Sequence, residues 1–232
     1  MSDSRPVLPA RLDTKGVVAA YRRIAPVYDL WGRMTESRAH RLCLDWLDLR
    51  QARRVLDVAT GTGALLRGAA AEAPTARFIG VDLSQSMINR ARASLGRLHV
   101  SFQPVLADSR RLPVRSSTMD VILNGYMFDL LPEEQFADVL SEFSRVLVPG
   151  GQLGLINMAV PDKIREQFWE SIYRIRPSLL GGCRGVRMVA HLADAGFTVD
   201  RKGRVTQFGF PSEVIVARSP ASGPDPDGNT VL

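Results

Sequence analysis

Cysteine and histidine are scarce in this sequence. Its 232 residues include two cysteines and three histidines. Cys43 and Cys183 are too few for a disulfide framework and lack the paired spacing of zinc sites, so we expect two free thiols. The histidines, His40, His99 and His191, stand far apart. The sequence therefore predicts no metal site, and only a site built from carboxylates stays open.

Long hydrophobic runs are also missing. No stretch approaches the roughly 18 consecutive apolar residues that a membrane span needs, and residues 1–16 lack the apolar core of a secretory signal. Apolar residues nevertheless make up 45% of the chain, which is enough for a sizeable core. We therefore expect a cytoplasmic, globular protein without stable membrane insertion.

The positive charge is not concentrated in one run. The formal net charge is +6, and between residues 163 and 204 the basic residues stand singly among apolar ones. A solvated basic face explains this pattern as well as a polyanion site does. We expect a small-molecule substrate and no nucleic acid. An acceptor that carries a phosphate or a carboxylate stays open, as does a homodimer.

Apolar runs rich in Val, Ile and Leu alternate with amphipathic stretches along the middle of the chain. This alternation is typical of strands and crossover helices that build a parallel sheet, so the predicted fold class is α/β. Residues 14–218 form the predicted domain, while 1–13 and 219–232 have little to bury and are predicted to be disordered. The predicted strands are 54–59, 77–83, 100–108, 119–125, 152–158, 197–207 and 212–218.

Helical patterns fill the gaps between these strands. They predict helices over 65–73, from an N-cap at Ser84, and from Pro132 to a break at 148–151. Residues 161–195 carry two further helical patterns and are longer than a simple crossover. We interpret this segment as a lid inserted between strands 5 and 6.

The stretch RVLDVATGTG places small residues directly after the first predicted strand. Ala59, Gly61 and Gly63 allow a tight turn and let a ligand lie against bare backbone at a helix N-terminus. Asp82 ends the second strand 19 residues after Gly63, where a carboxylate can accept both ribose hydroxyl hydrogens. Asp57, an acid within an apolar strand, needs a partner: either N–H groups of the turn or the ammonium of a methionyl group. A nucleoside ligand is favoured over a tight turn alone.

The glycine spacing gives weak support to a dinucleotide. A G-x-G-x-x-G fingerprint that starts at Gly61 meets the bulky Leu66 at its third position. A degenerate match from Ala59 to Ala64 survives. From the residues alone, a nicotinamide cofactor therefore stays open.

Six motifs follow one another along the chain: YRRIAPVYDLWGRM (21–34), VLDVATGTG (55–63), GVDLSQSMINRAR (80–92), ADSRRLPVRSSTMDVIL (107–123), RVLVPGGQL (145–153) and LADAGF (192–197). Over roughly residues 15–218, the chain resembles the class I S-adenosylmethionine-dependent methyltransferases, in the group that includes the ubiquinone and menaquinone biosynthesis methyltransferases. The resemblance implies a Rossmann-like sheet of seven mostly parallel strands with helices on both faces, an antiparallel last strand and an N-terminal helical cap. It also implies S-adenosylmethionine as cofactor and S-adenosylhomocysteine as product.

The resemblance further implies which residues bind the cofactor. The set comprises Asp57, Ala59, Thr60, Gly61 and Gly63 at the methionine end, Asp82 at the ribose, Leu83 and Met87 on one adenine face, Asp108 with Ser109 at the adenine amino group, and Asn124 with Gly125 on the wall. Core packing explains Met87 equally well, and an ordinary loop explains Asp108 and Ser109. Tyr21 and Tyr28 share one helical face and would contact the cofactor from a helix that closes over it, or else be core aromatics.

Methyl transfer is an in-line displacement that needs alignment and the exclusion of water, so a base is optional. Tyr126 and Asp129, which follow the fourth strand, are the candidate catalytic residues. His40 and Arg184 are further candidates. For each of the four, the role of a wall or structural residue is favoured over a catalytic one.

The predicted lid carries aromatic residues. Trp169 and Tyr173, together with Arg184, are the candidate substrate-binding residues, although the aromatic pair could be the core of the lid itself. Because small-molecule pockets are mostly apolar with a few placed polar groups, these residues favour an apolar or aromatic acceptor. A quinone-like compound, a secondary metabolite and a lipid headgroup all fit.

Three other functions stay open. Nucleic-acid methyltransferases that act on base amino groups usually carry an Asn-Pro-Pro-aromatic turn after the fourth strand, whereas this chain has Asn124, Gly125 and Tyr126 there. Neither cysteine has the Pro-Cys context of cytosine carbon-5 chemistry. The second alternative is an NAD(P)-dependent reductase, and the third is a protein that binds S-adenosylmethionine without turnover.

Overall fold

The computed structural model describes Leu8, residues 35–161 and residues 183–221. In these ranges the strands are β1 (Arg54–Val58), β2 (Arg77–Asp82), β3 (Ser101–Leu106), β4 (Met119–Gly125), β5 (Leu147–Met158), β6 (Thr198–Gln207) and β7 (Phe210–Arg218). The helices are α1 (Ser37–Trp46), α2 (Ala64–Glu72), α3 (Gln85–Leu95), α4 (Phe136–Val146) and α5 (Val189–Asp194), with short 3-10 turns at Leu49–Gln51 and Glu133–Gln135.

The strands form one seven-stranded sheet in the order β3-β2-β1-β4-β5-β7-β6. Strands β1 to β5 pair in parallel, and β7 runs antiparallel to both of its neighbours, β5 and β6. The predicted α/β fold, with a mostly parallel sheet and an antiparallel last strand, is confirmed. None of the helices in the described ranges has both the length and the apolar character that crossing a bilayer requires.

Helices cover both faces of the sheet, which explains why the central strands are apolar throughout. Val55 of β1 packs in a core with residues of α1 and α2, whereas the next residue, Leu56, packs in a second core with residues of α4 and α5. Leu123 and Ile122 of β4 divide in the same way. Successive strand side chains point to opposite faces, so a strand that is buried on both faces reads as one apolar run.

Two predicted boundaries differ from the structure by more than two residues. Strand β5 begins at Leu147 rather than at residue 152, because Leu147 already pairs with Met119; residues 148–151, where Gly150 has a φ of +73°, form a bulge before pairing resumes at Gln152. Helix α4 begins at Phe136 rather than at Pro132, whose ψ of 143° is extended. A 3-10 turn fills the gap between Pro132 and the helix.

The predicted lid is described only in part. Helix α5 corresponds to its second helical pattern, while residues 162–182 lie outside the described residues. Packing extends beyond residue 218, the predicted end of the domain. The buried Ser219 donates its hydroxyl to the carbonyl of Val148 at 2.7 Å and its N–H to the carbonyl of Gly151 at 2.9 Å.

Candidate functional site

A cleft opens at the carboxyl end of β1, where the strand order reverses. Strand β1 has β2 on one side and β4 on the other, and open α/β sheets bind ligands at such a position. The cleft holds ≈ 380 Å³ of free space, part of it open to solvent. Its lining comes from the N-terminal end of α1, the turn after β1, the start of α2 and the end of β4: Glu36, His40, Asp57, Ala59, Thr60, Gly61, Thr62, Ala64, Leu65, Gly125 and Tyr126.

The turn after β1 is built from left-handed backbone. Ala59, Gly61 and Gly63 have φ values of +59°, +54° and +78°. A Cβ on Gly61 would meet nothing closer than the carbonyl oxygen of Ala59 at 4.0 Å, so this position presents bare backbone to open space. A Cβ on Gly63 would instead lie 2.5 Å from Leu95 Cδ1 of α3. Gly63 is therefore required by helix packing, and Gly61 is the position that lets a ligand approach.

Asp82, at the end of β2, holds the turn in place. Its Oδ2 accepts the N–H of Gly61 at 2.9 Å, and its Oδ1 accepts the N–H of Ser84 at 2.8 Å. Burial raises the pKa of Asp82, and these backbone donors oppose that shift. The Leu83 N–H also donates to this carboxylate, and since each carboxylate oxygen has two lone pairs, the three backbone donors leave one lone pair for a further donor, such as a ribose hydroxyl.

Asp57 faces the cleft with a hydroxyl as its hydrogen-bond partner. The side chain is 2% exposed and accepts the Thr60 hydroxyl at 2.7 Å. Burial raises the pKa of Asp57 to about 7, the Thr60 hydrogen bond opposes this shift, and the nearby Asp82 adds to it. The sequence suggested two partners for Asp57: N–H groups of the turn, or the ammonium of a methionyl group. In the described residues two of the turn N–H groups bind elsewhere, since the Gly61 N–H donates to Asp82 and the Thr60 N–H donates to the carbonyl of Val81.

The sequence reasoning missed Glu36. Only 6% of this residue is exposed, it lines the cleft at the start of α1, and burial raises the pKa of its carboxyl to about 7. His40, one helical turn later, lines the same cleft, and burial and the Arg67 charge lower its pKa to about 4. The i, i+4 spacing of Glu36 and His40 was the available signal, because it places both side chains on one helix face.

The cleft is therefore rich in acceptors and poor in cations. Asp57 and Glu36 are carboxyl groups, His40 is neutral above a pH of about 4, and the lining contains no lysine or arginine among the described residues. Asn124 is fully buried and does not belong to the lining: its Nδ2 donates to the carbonyl of Val58 at 2.8 Å, and its Oδ1 has no hydrogen-bond partner in the described part of the chain. Such a cleft fits a positively charged ligand that donates hydrogen bonds, and disfavours a pyrophosphate.

The residues predicted at the adenine occupy different surroundings. Leu83 is 44% exposed and is accessible to a ligand, whereas Met87 is 2% exposed, so core packing accounts for its side chain. Asp108 pairs with Arg110 at 2.6 Å, which holds its pKa below the ordinary value. Ser109 is half-buried beside it. Asp108 would have to share its oxygens between Arg110 and an adenine amino group.

The candidate catalytic residues have structural partners. The Tyr126 hydroxyl is 2.7 Å from Ser212 Oγ, and burial raises its pKa well above the ordinary value. Asp129 is fully buried, accepts the N–H of Met158 at 2.8 Å and does not belong to the lining of the cleft. Tyr126 thus forms a wall, and Asp129 lies behind the cleft because its carboxylate ties the loop after β4 to β5.

Arg184, predicted at the substrate, is also buried. Its exposed fraction is 3%, and its NH2 donates to the carbonyl of Leu131 at 2.7 Å. Burial raises the pKa of Asp129 well above its ordinary value, and the charge of Arg184 opposes that shift. The predicted cofactor residues Tyr21 and Tyr28, and the predicted substrate residues of the lid, Trp169 and Tyr173, lie outside the described residues.

The sequence is similar to those of known methyltransferases. The model of a family described as "Methyltransferase domain" matches residues 55–151. The chain is 37% identical over 145 residues to a ubiquinone/menaquinone biosynthesis C-methyltransferase of Syntrophotalea carbinolica, covering 61% of this chain and 60% of that protein. It is 32% identical over 171 residues to a demethylmenaquinone methyltransferase of Deinococcus radiodurans, covering 69% of this chain and 68% of that protein. The chain thus spans about three fifths to two thirds of the length of these curated relatives.

Solved structures share the fold at low sequence identity. The crystal structure of the [4+2]-cyclase SpnF superposes with a TM-score of 0.73 at 16% identity, covering 94% of this chain and all of that chain. At this identity the likeness concerns the fold alone, and a fold of this kind hosts more than one reaction.

Proposed function

Because the chain belongs to the S-adenosylmethionine-dependent methyltransferases, in the group of the ubiquinone and menaquinone enzymes, its cofactor is S-adenosylmethionine, and we propose that it methylates a small, apolar or aromatic acceptor. The observation that carries the proposal is the charge of the cleft. Asp57 and Glu36 are buried there without a lysine or arginine among the described lining residues, and the cofactor brings two positive charges, an ammonium and a sulfonium.

The turn after β1 and the end of β2 bind different parts of the cofactor. Gly61 gives the methionyl end close access to the backbone, and Asp57 provides an acceptor for its N–H groups. Asp82 accepts a ribose hydroxyl with the lone pair that the Gly61, Leu83 and Ser84 N–H groups leave open. Leu83 covers one face of the adenine.

The chain contributes to the reaction by orientation rather than by a strong base. S-adenosylmethionine supplies an electrophilic methyl group on a positively charged sulfur. Tyr126 and Gly125 form the wall of the cleft next to the turn, and the Tyr126–Ser212 hydrogen bond fixes that wall. Holding acceptor and methyl group in line and away from water is the largest available contribution to such a displacement.

A quinol-like ring is the acceptor we propose within this class. Support comes from the names of the two relatives, which refer to ubiquinone and menaquinone biosynthesis and to demethylmenaquinone. The cleft wall of Tyr126, Leu65 and Ala64 is apolar enough to accept an aromatic ring. Secondary metabolites and lipid headgroups are the competing acceptors.

The test is a methyl-transfer assay with a panel of acceptors. Purified protein is incubated with S-adenosylmethionine and, in separate reactions, a short-chain demethylated naphthoquinol, a catechol and phosphoethanolamine, and products are analysed by mass spectrometry. We expect one added methyl group on the naphthoquinol and formation of S-adenosylhomocysteine. A product only from the catechol or the amine would reassign the acceptor.

Thermal shifts address the other functions. S-adenosylhomocysteine should raise the melting temperature of the protein and NADH should not, because only a ligand of the folded state stabilises it. Stabilisation by NADH alone would point to a reductase. Stabilisation by S-adenosylhomocysteine without product from any acceptor would favour a binding protein.

A further inference from the structure

Glu36 is the most conspicuous group of the cleft to which the family resemblance gives no role. It precedes α1, and its side chain is 8% exposed and lines the cleft together with the turn after β1. Its nearest charged or titratable neighbour, His40 Nε2, lies 3.9 Å from Oε2, beyond hydrogen-bond distance. Within the described residues the Glu36 carboxyl accepts no hydrogen bond, although a buried carboxyl needs one to remain ionised.

The neighbours of Glu36 do not satisfy it. His40 is neutral, the Tyr126 hydroxyl is bound to Ser212, and burial keeps the pKa of Asp129 well above its ordinary value. The charge of Arg184 acts on Asp129, that of Arg67 acts on His40, and Cys183 lies near Tyr126. Burial is the cause of the raised pKa of Glu36, so neither of these two arginines compensates the charge of its carboxylate.

We propose that the Glu36 carboxylate binds the ammonium group of the methionyl end of S-adenosylmethionine. This inference rests on the proposed function. The ammonium is favoured over the sulfonium because it carries three N–H donors, which match the carboxylate oxygens, whereas a sulfonium donates no hydrogen bond. Glu36 and the turn residues Thr60 and Gly61 line one continuous cleft, so one ligand reaches all three.

Cofactor binding is then coupled to proton release. Burial without a cation raises the pKa of Glu36 to about 7, and an ammonium beside it would lower that value again. Near pH 7 about half of the Glu36 groups carry a proton in the free protein, and binding expels it. Asp57, with a pKa also raised to about 7, contributes in the same direction.

Calorimetry with two ligands and two variants tests the proposal. S-adenosylhomocysteine carries the ammonium, and 5′-methylthioadenosine lacks the whole amino-acid end. We expect Glu36→Gln to weaken S-adenosylhomocysteine by about tenfold or more and to leave 5′-methylthioadenosine within about twofold. Asp45→Asn makes the same change on the exposed side of α1 and should alter neither affinity. Two buffers of different ionisation enthalpy should show proton release with S-adenosylhomocysteine only, and less of it in Glu36→Gln.

Each alternative outcome has a distinct meaning. If Glu36→Gln weakens both ligands equally, or neither, the assignment of the ammonium to Glu36 is overturned while the proposed function stands. If the wild-type protein releases no proton on binding S-adenosylhomocysteine near pH 7, the assignment fails independently of any variant. If the wild-type protein binds neither ligand, the proposed function fails as well.

Discussion

The loop after β1 and the loop after β4 begin alike and end in different roles. Both follow neighbouring parallel strands, and both start with a non-glycine residue in left-handed backbone, Ala59 and Tyr126. A buried aspartate accompanies each: Asp57 near the end of β1, and Asp129 within the loop after β4. Asp57 has the Thr60 hydroxyl as its partner and faces open space. Asp129 has the Met158 N–H and the charge of Arg184, and is fully buried.

The difference shows that the partner of a buried carboxyl, rather than the carboxyl itself, distinguishes a binding site from a structural contact. A backbone N–H and a buried arginine leave Asp129 with nothing to offer a ligand. A hydroxyl alone leaves Asp57 with most of its acceptor capacity and its negative charge uncompensated. Three substitutions test this distinction.

The largest effect is expected at Asp129. Asp129→Ala leaves the buried Met158 N–H without an acceptor and removes the carboxyl group near Arg184, so we expect a loss of roughly 3 kcal/mol in the free energy of unfolding. Urea denaturation measures it. Asp129→Asn, which keeps an acceptor oxygen, should recover part of the loss. Affinity of folded protein for S-adenosylhomocysteine should stay the same, and a large drop in affinity would place Asp129 in the binding site after all.

Asp57→Asn should lower the affinity for the ligand rather than the stability of the fold, the reverse of what we expect at Asp129. Asn keeps an acceptor for Thr60 but loses the charge, so we expect an affinity for S-adenosylhomocysteine about thirtyfold lower, or ~2 kcal/mol. Calorimetry measures the affinity. Equal affinity in the variant would contradict the role of Asp57 in the cleft.

The same variant should not lose stability at pH 8. Because the pKa of Asp57 is about 7 in the folded chain and near 3.8 when unfolded, the folded chain keeps the proton longer, and the contribution of Asp57 to stability falls as the pH rises from about 4 to about 7. Asn does not ionise and avoids this loss. Urea denaturation at pH 8 should therefore show a free energy of unfolding equal to or above that of the wild type.

The smallest effect is expected at Tyr126. Tyr126→Phe removes the hydrogen bond with Ser212 and should lower the free energy of unfolding by about 1 kcal/mol. Methyl-transfer rate should change by less than about threefold if the hydroxyl only fixes the wall, because no proton passes through it. A rate loss of a hundredfold in well-folded protein would instead support the catalytic role that the sequence suggested.

Much of the sheet and of the turn could be read from the sequence. All seven strands were predicted, and the runs of Val, Ile and Leu marked the central ones, because strands buried on both faces are apolar throughout. Strand β6, which is mostly exposed, has no such run. The start of β5 was missed because Pro149 and Gly150 read as a turn, while the structure continues the strand with one left-handed glycine. The local sequence shows which conformation a segment prefers, but whether it joins a sheet also depends on the strand beside it.

Site residues at the ends of strands could be predicted, because the sheet determines their position. Site residues that are positioned by packing between elements distant in sequence could not. Asp57, Gly61 and Asp82 lie at the ends of strands, so their meeting followed from the sheet. Glu36 enters the cleft because α1 packs against the sheet: its i, i+4 spacing to His40 places both on one helix face, but does not tell what that face packs against. Asp129 lies outside the cleft lining, because its carboxylate accepts the N–H of Met158, 29 residues later in the chain.

The position of the last strand has a consequence for synthesis. Strand β7 lies between β5 and β6, so β6 is joined to the sheet only through β7. On the ribosome, residues 198–207 emerge before the strand that anchors them, and β5 waits with an unpaired edge until residues 210–218 follow. The nascent chain therefore completes this sheet only after β7 has emerged, and a chain that stalls earlier exposes unpaired strand edges to aggregation.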